Sequence, residues 1–61
     1  MNELQILFLL NEHYGKSMTL EQAIEALGQI VFTREALEDE GLEYDERTLI
    51  LEMGDYAMNE N

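Results

Sequence analysis

The segment TLEQAIEALGQIVFTREALEDEGL, residues 19–42, decides how this chain folds. Thr19 is followed three residues later by Gln22, a pairing that closes a capping box at a helix start. Leu20, Ala23, Ile24 and Leu27 recur at i, i+3, i+4 and i+7, the stripe of an amphipathic helix. Gly28 follows at once, and a glycine in the left-handed conformation commonly ends a helix. Thr33 then precedes REALEDE as a second N-cap, with an acid early in its first turn. Read this way, the segment is two short helices joined at a glycine, a helix-turn-helix-like middle. Ala23, Leu27, Gly28 and Leu37 fall near the positions such motifs use for packing and for the turn.

The flanks also read as helical. Asn2 precedes a segment from Glu3 to Tyr14, with Gln5 in the capping-box position. Inside it, Ile6 to Leu10 are five consecutive apolar residues and so cover every side of a helix. One face serves the core; the other packs under the last segment or meets a second subunit. Asp45 precedes ERTLILEM as a fourth cap. There Leu49, Leu51 and Met53 also alternate, so a β-hairpin over residues 42–53 is the alternative to a helix, which we prefer. Gly15, Gly28, Gly41 and Gly54 are each thirteen residues apart, shorter than the period of ordinary repeat folds. We read them as the stops of short helices of similar length. The expected fold is all-α: one small domain over residues 1–61, with three to four short helices.

Composition narrows the function. The 61 residues hold fourteen acids against three bases, a net charge of −11. Binding DNA or RNA directly needs several Lys or Arg contacts to phosphate, and only Lys16, Arg34 and Arg47 are basic. An anionic membrane surface is disfavoured for the same reason. The complementary partner is basic. With no cysteine there is neither a disulfide nor a Cys-based zinc site. Ile6–Leu10 is too short to span a bilayer, and its flanks lack the charge and cleavage pattern of a signal peptide. We therefore expect a cytoplasmic protein. A chain this small, without a staple, is marginally stable alone, so a symmetric homodimer is a reasonable expectation.

The acids are unevenly placed. Residues 1–32 hold four acids and one base; residues 33–61 hold ten acids and two bases. Seven carboxylates fall within residues 34–46: Glu35, Glu38, Asp39, Glu40, Glu43, Asp45 and Glu46. In a helix Glu35 neighbours both Glu38 and Asp39, and each such like pair costs on the order of 0.2–0.5 kcal/mol. Mixed charges would confer solubility without that cost, although a plainly solvated face is the competing explanation. A field of one sign steers a protein towards a basic groove. Tyr44, inside the run, is the candidate aromatic anchor.

Residues 7–28, LFLLNEHYGKSMTLEQAIEALG, resemble the N-terminal part of small phage and prophage regulators of the pyocin-activator and excisionase-like kind. That resemblance implies a helix-turn-helix scaffold. The sequence departs from it at the would-be recognition helix, where Glu35, Glu38, Asp39 and Glu40 would be repelled by phosphate. In size, acidity and the 35–46 cluster, the chain resembles the small inhibitors of phages and mobile elements, such as anti-CRISPR and anti-restriction proteins, several of which mimic DNA. This implies a non-enzymatic protein that docks on a nucleic-acid-binding surface, with those seven acids and Tyr44 as its contact set.

Catalytic signatures are lacking in the sequence. His13 is the only histidine, and Ser17 has no elbow or triad context. Residues 39–50 fail the EF-hand pattern, since Gly41 is misplaced and Ile50 stands where a glutamate is needed. No cofactor is expected. The leading functional expectation is an inhibitor that blocks a basic nucleic-acid-binding protein or complex. The alternatives are a helix-turn-helix-derived regulator acting through protein contacts, and a structural or assembly component whose acids only solubilise it.

Overall fold

A computed structural model describes residues 1–59. It is an all-α fold of three helices: α1 (Glu3–Tyr14), α2 (Leu20–Asp39) and α3 (Glu46–Asn59). A single 3₁₀ turn, Gly15–Ser17, links the first two. Both expected capping boxes form. The Gln5 amide donates to Asn2 Oδ1 and the Asn2 amide to Gln5 Oε1, each at 2.8 Å. The Thr19 amide donates to Gln22 Oε1 at 2.8 Å, and the Gln22 amide to Thr19 Oγ1 at 3.2 Å.

The middle differs from the sequence reading. Residues 20–39 are one continuous helix, not two joined at Gly28. A glycine inside a helix costs about 1 kcal/mol relative to alanine. Breaking the helix there would cost more, because Ala26 and Ile30, on either side, are both fully buried on one face. Thr33, read as a cap, lies inside α2, and its hydroxyl is 3.9 Å from the Met53 sulfur. The hairpin alternative over 42–53 is likewise overturned, since Glu46–Asn59 is helical. Of the four glycines only Gly15 (φ 57°) and Gly41 (φ 70°) have positive φ. Gly41 stops α2 in a Schellman arrangement: the Leu42 amide donates to the Leu37 carbonyl at 2.9 Å and the Gly41 amide to Glu38 at 3.1 Å.

Helices α1 and α3 both pack on α2, with α3 making the more extensive contact. The core is small and wholly apolar, built from Ile6, Leu9 and Leu10 of α1, Ala26 and Ile30 of α2, and Ile50 and Ala57 of α3. The apolar run of α1 therefore divides: Ile6, Leu9 and Leu10 turn inward, Leu7 is half-buried and Phe8 is exposed. The stripe on α2 divides too. Leu27 packs against the core beside the buried Ala26 and Ile30, which lie outside the expected stripe, whereas Leu20 and Ile24 of the stripe point outward.

Candidate acidic interface

The acids gather where α2 ends and α3 begins. Glu35, Glu38 and Asp39 lie on the last two turns of α2, all exposed. Glu40 is its C-cap residue, and Glu43 follows in the connection, both exposed. Four carboxylates among the six residues from 35 to 40 occupy about 9 Å of helix axis, one per roughly 2.3 Å. Duplex DNA carries one charge per roughly 1.7 Å. The linear charge density of this tip thus approaches that of a duplex.

Two features of the geometry work against the fold. A helix C-terminus carries a partial negative charge, so carboxylates there are unfavourable where Lys or Arg would each be worth about 0.3–1 kcal/mol. No base occupies the last turn of α2. The single arginine of the run is withdrawn. Arg34 Nη1 donates to the Met1 carbonyl at 2.7 Å and to Glu46 Oε2 at 2.8 Å. Among the described residues, Glu35, Glu38, Asp39, Glu40 and Glu43 are left without a cation.

The remaining members of the sequence-derived set have local work. Glu46 is the hub of a clamp, accepting from the Met1 ammonium on both oxygens at 2.8 Å and from Arg34. Those hydrogen bonds, the ammonium's first and the guanidinium's second, hold its carboxyl below the ordinary value of 4.5. Asp45 caps α3: its Oδ1 accepts from the Arg47 amide and its Oδ2 from the Thr48 hydroxyl, both at 3.1 Å. Tyr44 is half-buried and its hydroxyl donates to Glu38 Oε2 at 3.0 Å. Desolvation first and the Glu38 bond second raise its phenol above 10.0. The bond ties the connection back to the last turn of α2. Sequence spacing alone could not separate Glu46 from its neighbours, because its partners lie 12 and 45 residues away.

No helix among the described residues is long and apolar enough to cross a membrane. Comparison with protein-family models, curated proteins and solved structures finds no match to this chain.

Proposed function

We propose that this chain is a non-enzymatic inhibitor that presents the tip of α2 as a DNA-like surface to a basic nucleic-acid-binding protein or complex. An anti-CRISPR or anti-restriction protein of a phage, acting in the cytoplasm of its host, is the form we favour. The observation that carries this reading is the withdrawal of Arg34 into the Glu46 clamp. It leaves five carboxylates uncompensated at the negative pole of a helix. Solubility alone does not require acids at the one place where they oppose the backbone dipole. Glu35, Glu38, Asp39, Glu40 and Glu43 form the contact surface. Tyr44 stands behind them as an aromatic that a partner pocket can cover, while Asp45 and Glu46 hold the tip in place.

The test is affinity capture from a bacterial lysate with the wild-type chain and with Glu38, Asp39 and Glu40 all changed to lysine. The wild type retains a protein that binds nucleic acid, and added duplex DNA or raised salt releases it. The triple variant retains none. Capture that survives both the reversal and competing DNA overturns the proposal.

A further inference from the structure

Part of the α2 stripe that reads as a core face in the sequence is left uncovered by the fold, although Leu27 packs against the core. Leu20, Ile24 and Phe32 are 76, 59 and 71% exposed, and on α1 Leu4 and Phe8 are 76 and 66% exposed. Leu20, Ile24 and Phe32 lie along the α1–α2 seam, whereas Leu4 and Phe8 line a separate groove with Arg47 of α3. One groove along the α1–α2 seam is lined by Leu7 and Asn11 opposite Leu20 and Ala23. The next is lined by Glu3 opposite Ile24, Leu27, Val31 and Phe32.

We propose that this seam binds a second copy of the chain, forming an antiparallel two-fold dimer across α2. Area supports the assignment. A whole aromatic side chain covers roughly 150–250 Å², so Leu20, Ile24 and Phe32, with the half-buried Leu7, Leu27 and Val31 that line the same grooves, present on the order of 500 Å² of apolar surface. An ordinary interface buries about 800 Å² per partner, somewhat under two-thirds of it apolar. One copy therefore supplies the apolar share that a standard interface needs. A two-fold axis requires the patch to complement itself, and the register does so. Leu20, Ile24, Gly28 and Phe32 are evenly spaced by four. Reversing this row about its own centre, at position 26, sets Leu20 against Phe32 of the partner subunit and Ile24 against Gly28 of the partner subunit. Gly28 is exposed, and a Cβ built there meets nothing within 4 Å. The position is thus open to receive a branched side chain.

Charge selects the same orientation. The Phe32 end of the seam carries Glu3 and Glu35. The Leu20 end follows the turn that holds Lys16, which is exposed. An antiparallel arrangement brings Lys16 towards Glu35 of the partner subunit, whereas a parallel one sets the acidic ends side by side. The assembly engages only Glu35, at the edge of the acidic surface, and leaves Glu38, Asp39, Glu40 and Glu43 outside the seam, so it stands or falls apart from the proposed function.

Sedimentation equilibrium tests it, with far-ultraviolet circular dichroism as the folding control. The wild type sediments at twice the 7.1 kDa chain mass. Phe32→Asp, a change at an exposed position, keeps its helix signal and raises the dimer dissociation constant by roughly 30-fold or more, as for an aromatic at an interface centre. The native chain has no cysteine. Leu20→Cys and Phe32→Cys chains should therefore form an intermolecular disulfide on oxidation when mixed, and far less readily when either is alone. A monomeric wild type, a dimer indifferent to Phe32→Asp, or crosslinking that mixing does not enhance would each overturn the assignment.

Discussion

The ring of Tyr14 fills the space that a side chain on Gly54 would need. A Cβ on Gly54 would lie 2.7 Å from Tyr14 Cε2 and 3.0 Å from both the Tyr14 hydroxyl and Leu10 Cδ2. The glycine lets α3 approach α1 closely enough for that hydroxyl to donate to the Leu51 carbonyl at 2.9 Å and to Asp55 Oδ1 at 3.3 Å. Gly54 and Gly28 are both helical glycines, yet they have opposite consequences.

Gly54→Ala gains about 1 kcal/mol of helix propensity but forces a held ring and a buried leucine apart, at about 1–3 kcal/mol. It should lower stability by roughly 1 kcal/mol. Gly28→Ala meets open space and should raise stability by about 0.5–1 kcal/mol. Urea unfolding of both, on a Phe32→Asp background that removes self-association from the comparison, decides the matter. Equal effects of the two changes would contradict the close approach at Tyr14.

Tyr14→Phe deletes the donor to Leu51 and Asp55 and should cost about 1 kcal/mol. Desolvation, and then the Asp55 charge, raise the Tyr14 phenol above 10.0. The folded state therefore holds this proton more tightly than the unfolded state. That contribution is complete below pH 10.0 and is lost as pH rises through the higher folded value. Tyr14→Phe should flatten part of the alkaline loss of stability, read from urea midpoints across that range.

The Glu46 clamp acts on the acid side. Its folded carboxyl titrates below 4.5, so its contribution is present above that pH and disappears as pH falls through the lowered folded value. Both partners are part-exposed, and the expected loss in Glu46→Gln at neutral pH is about 0.5–1 kcal/mol. The difference between variant and wild type should vanish as pH falls through the lowered folded value, where wild-type Glu46 becomes protonated. A difference that persists undiminished in acid would remove the clamp from the account of stability.

Asp39→Lys and Glu40→Lys place cations at the negative pole of α2. Each should raise stability by about 0.3–1 kcal/mol at low ionic strength, an effect that salt diminishes. Glu38→Lys is different, because it also breaks the Tyr44 hydrogen bond. Thermal unfolding at two salt concentrations measures this directly. Better stability together with lost capture of the partner would identify these acids as kept for binding at the fold's expense. Lower stability in both single variants would show that the acids serve the fold.

Several elements were legible because their cause is local. Asn2 with Gln5 and Thr19 with Gln22 bond within three residues, so the start of two helices could be read from spacing. Gly41 stops α2 through bonds that reach no further than Leu37. Gly28 looked the same in sequence, but its fate depends on whether Ala26 and Ile30 are buried against other helices. That is a tertiary fact, and packing outweighed propensity. The α2 stripe was visible, yet periodicity does not say which of two apolar faces meets the core. In the acidic run, the exposure of Glu35 to Glu43 followed from composition. The removal of Glu46 to a clamp required knowing that Arg34 and Met1 lie together.

The stop at Gly41 has one more consequence. On α2 the last fully buried residue is Ile30, so the carboxylates from Glu35 to Glu40 stand five to ten residues, or about 7–15 Å, beyond it. Substitutions at such exposed positions usually change stability by no more than about 0.5 kcal/mol. Under the proposed function, a lineage carrying this chain can therefore redraw its acidic tip, residue by residue, to follow a target that is itself changing. It can do so without disturbing the bundle that holds the tip out.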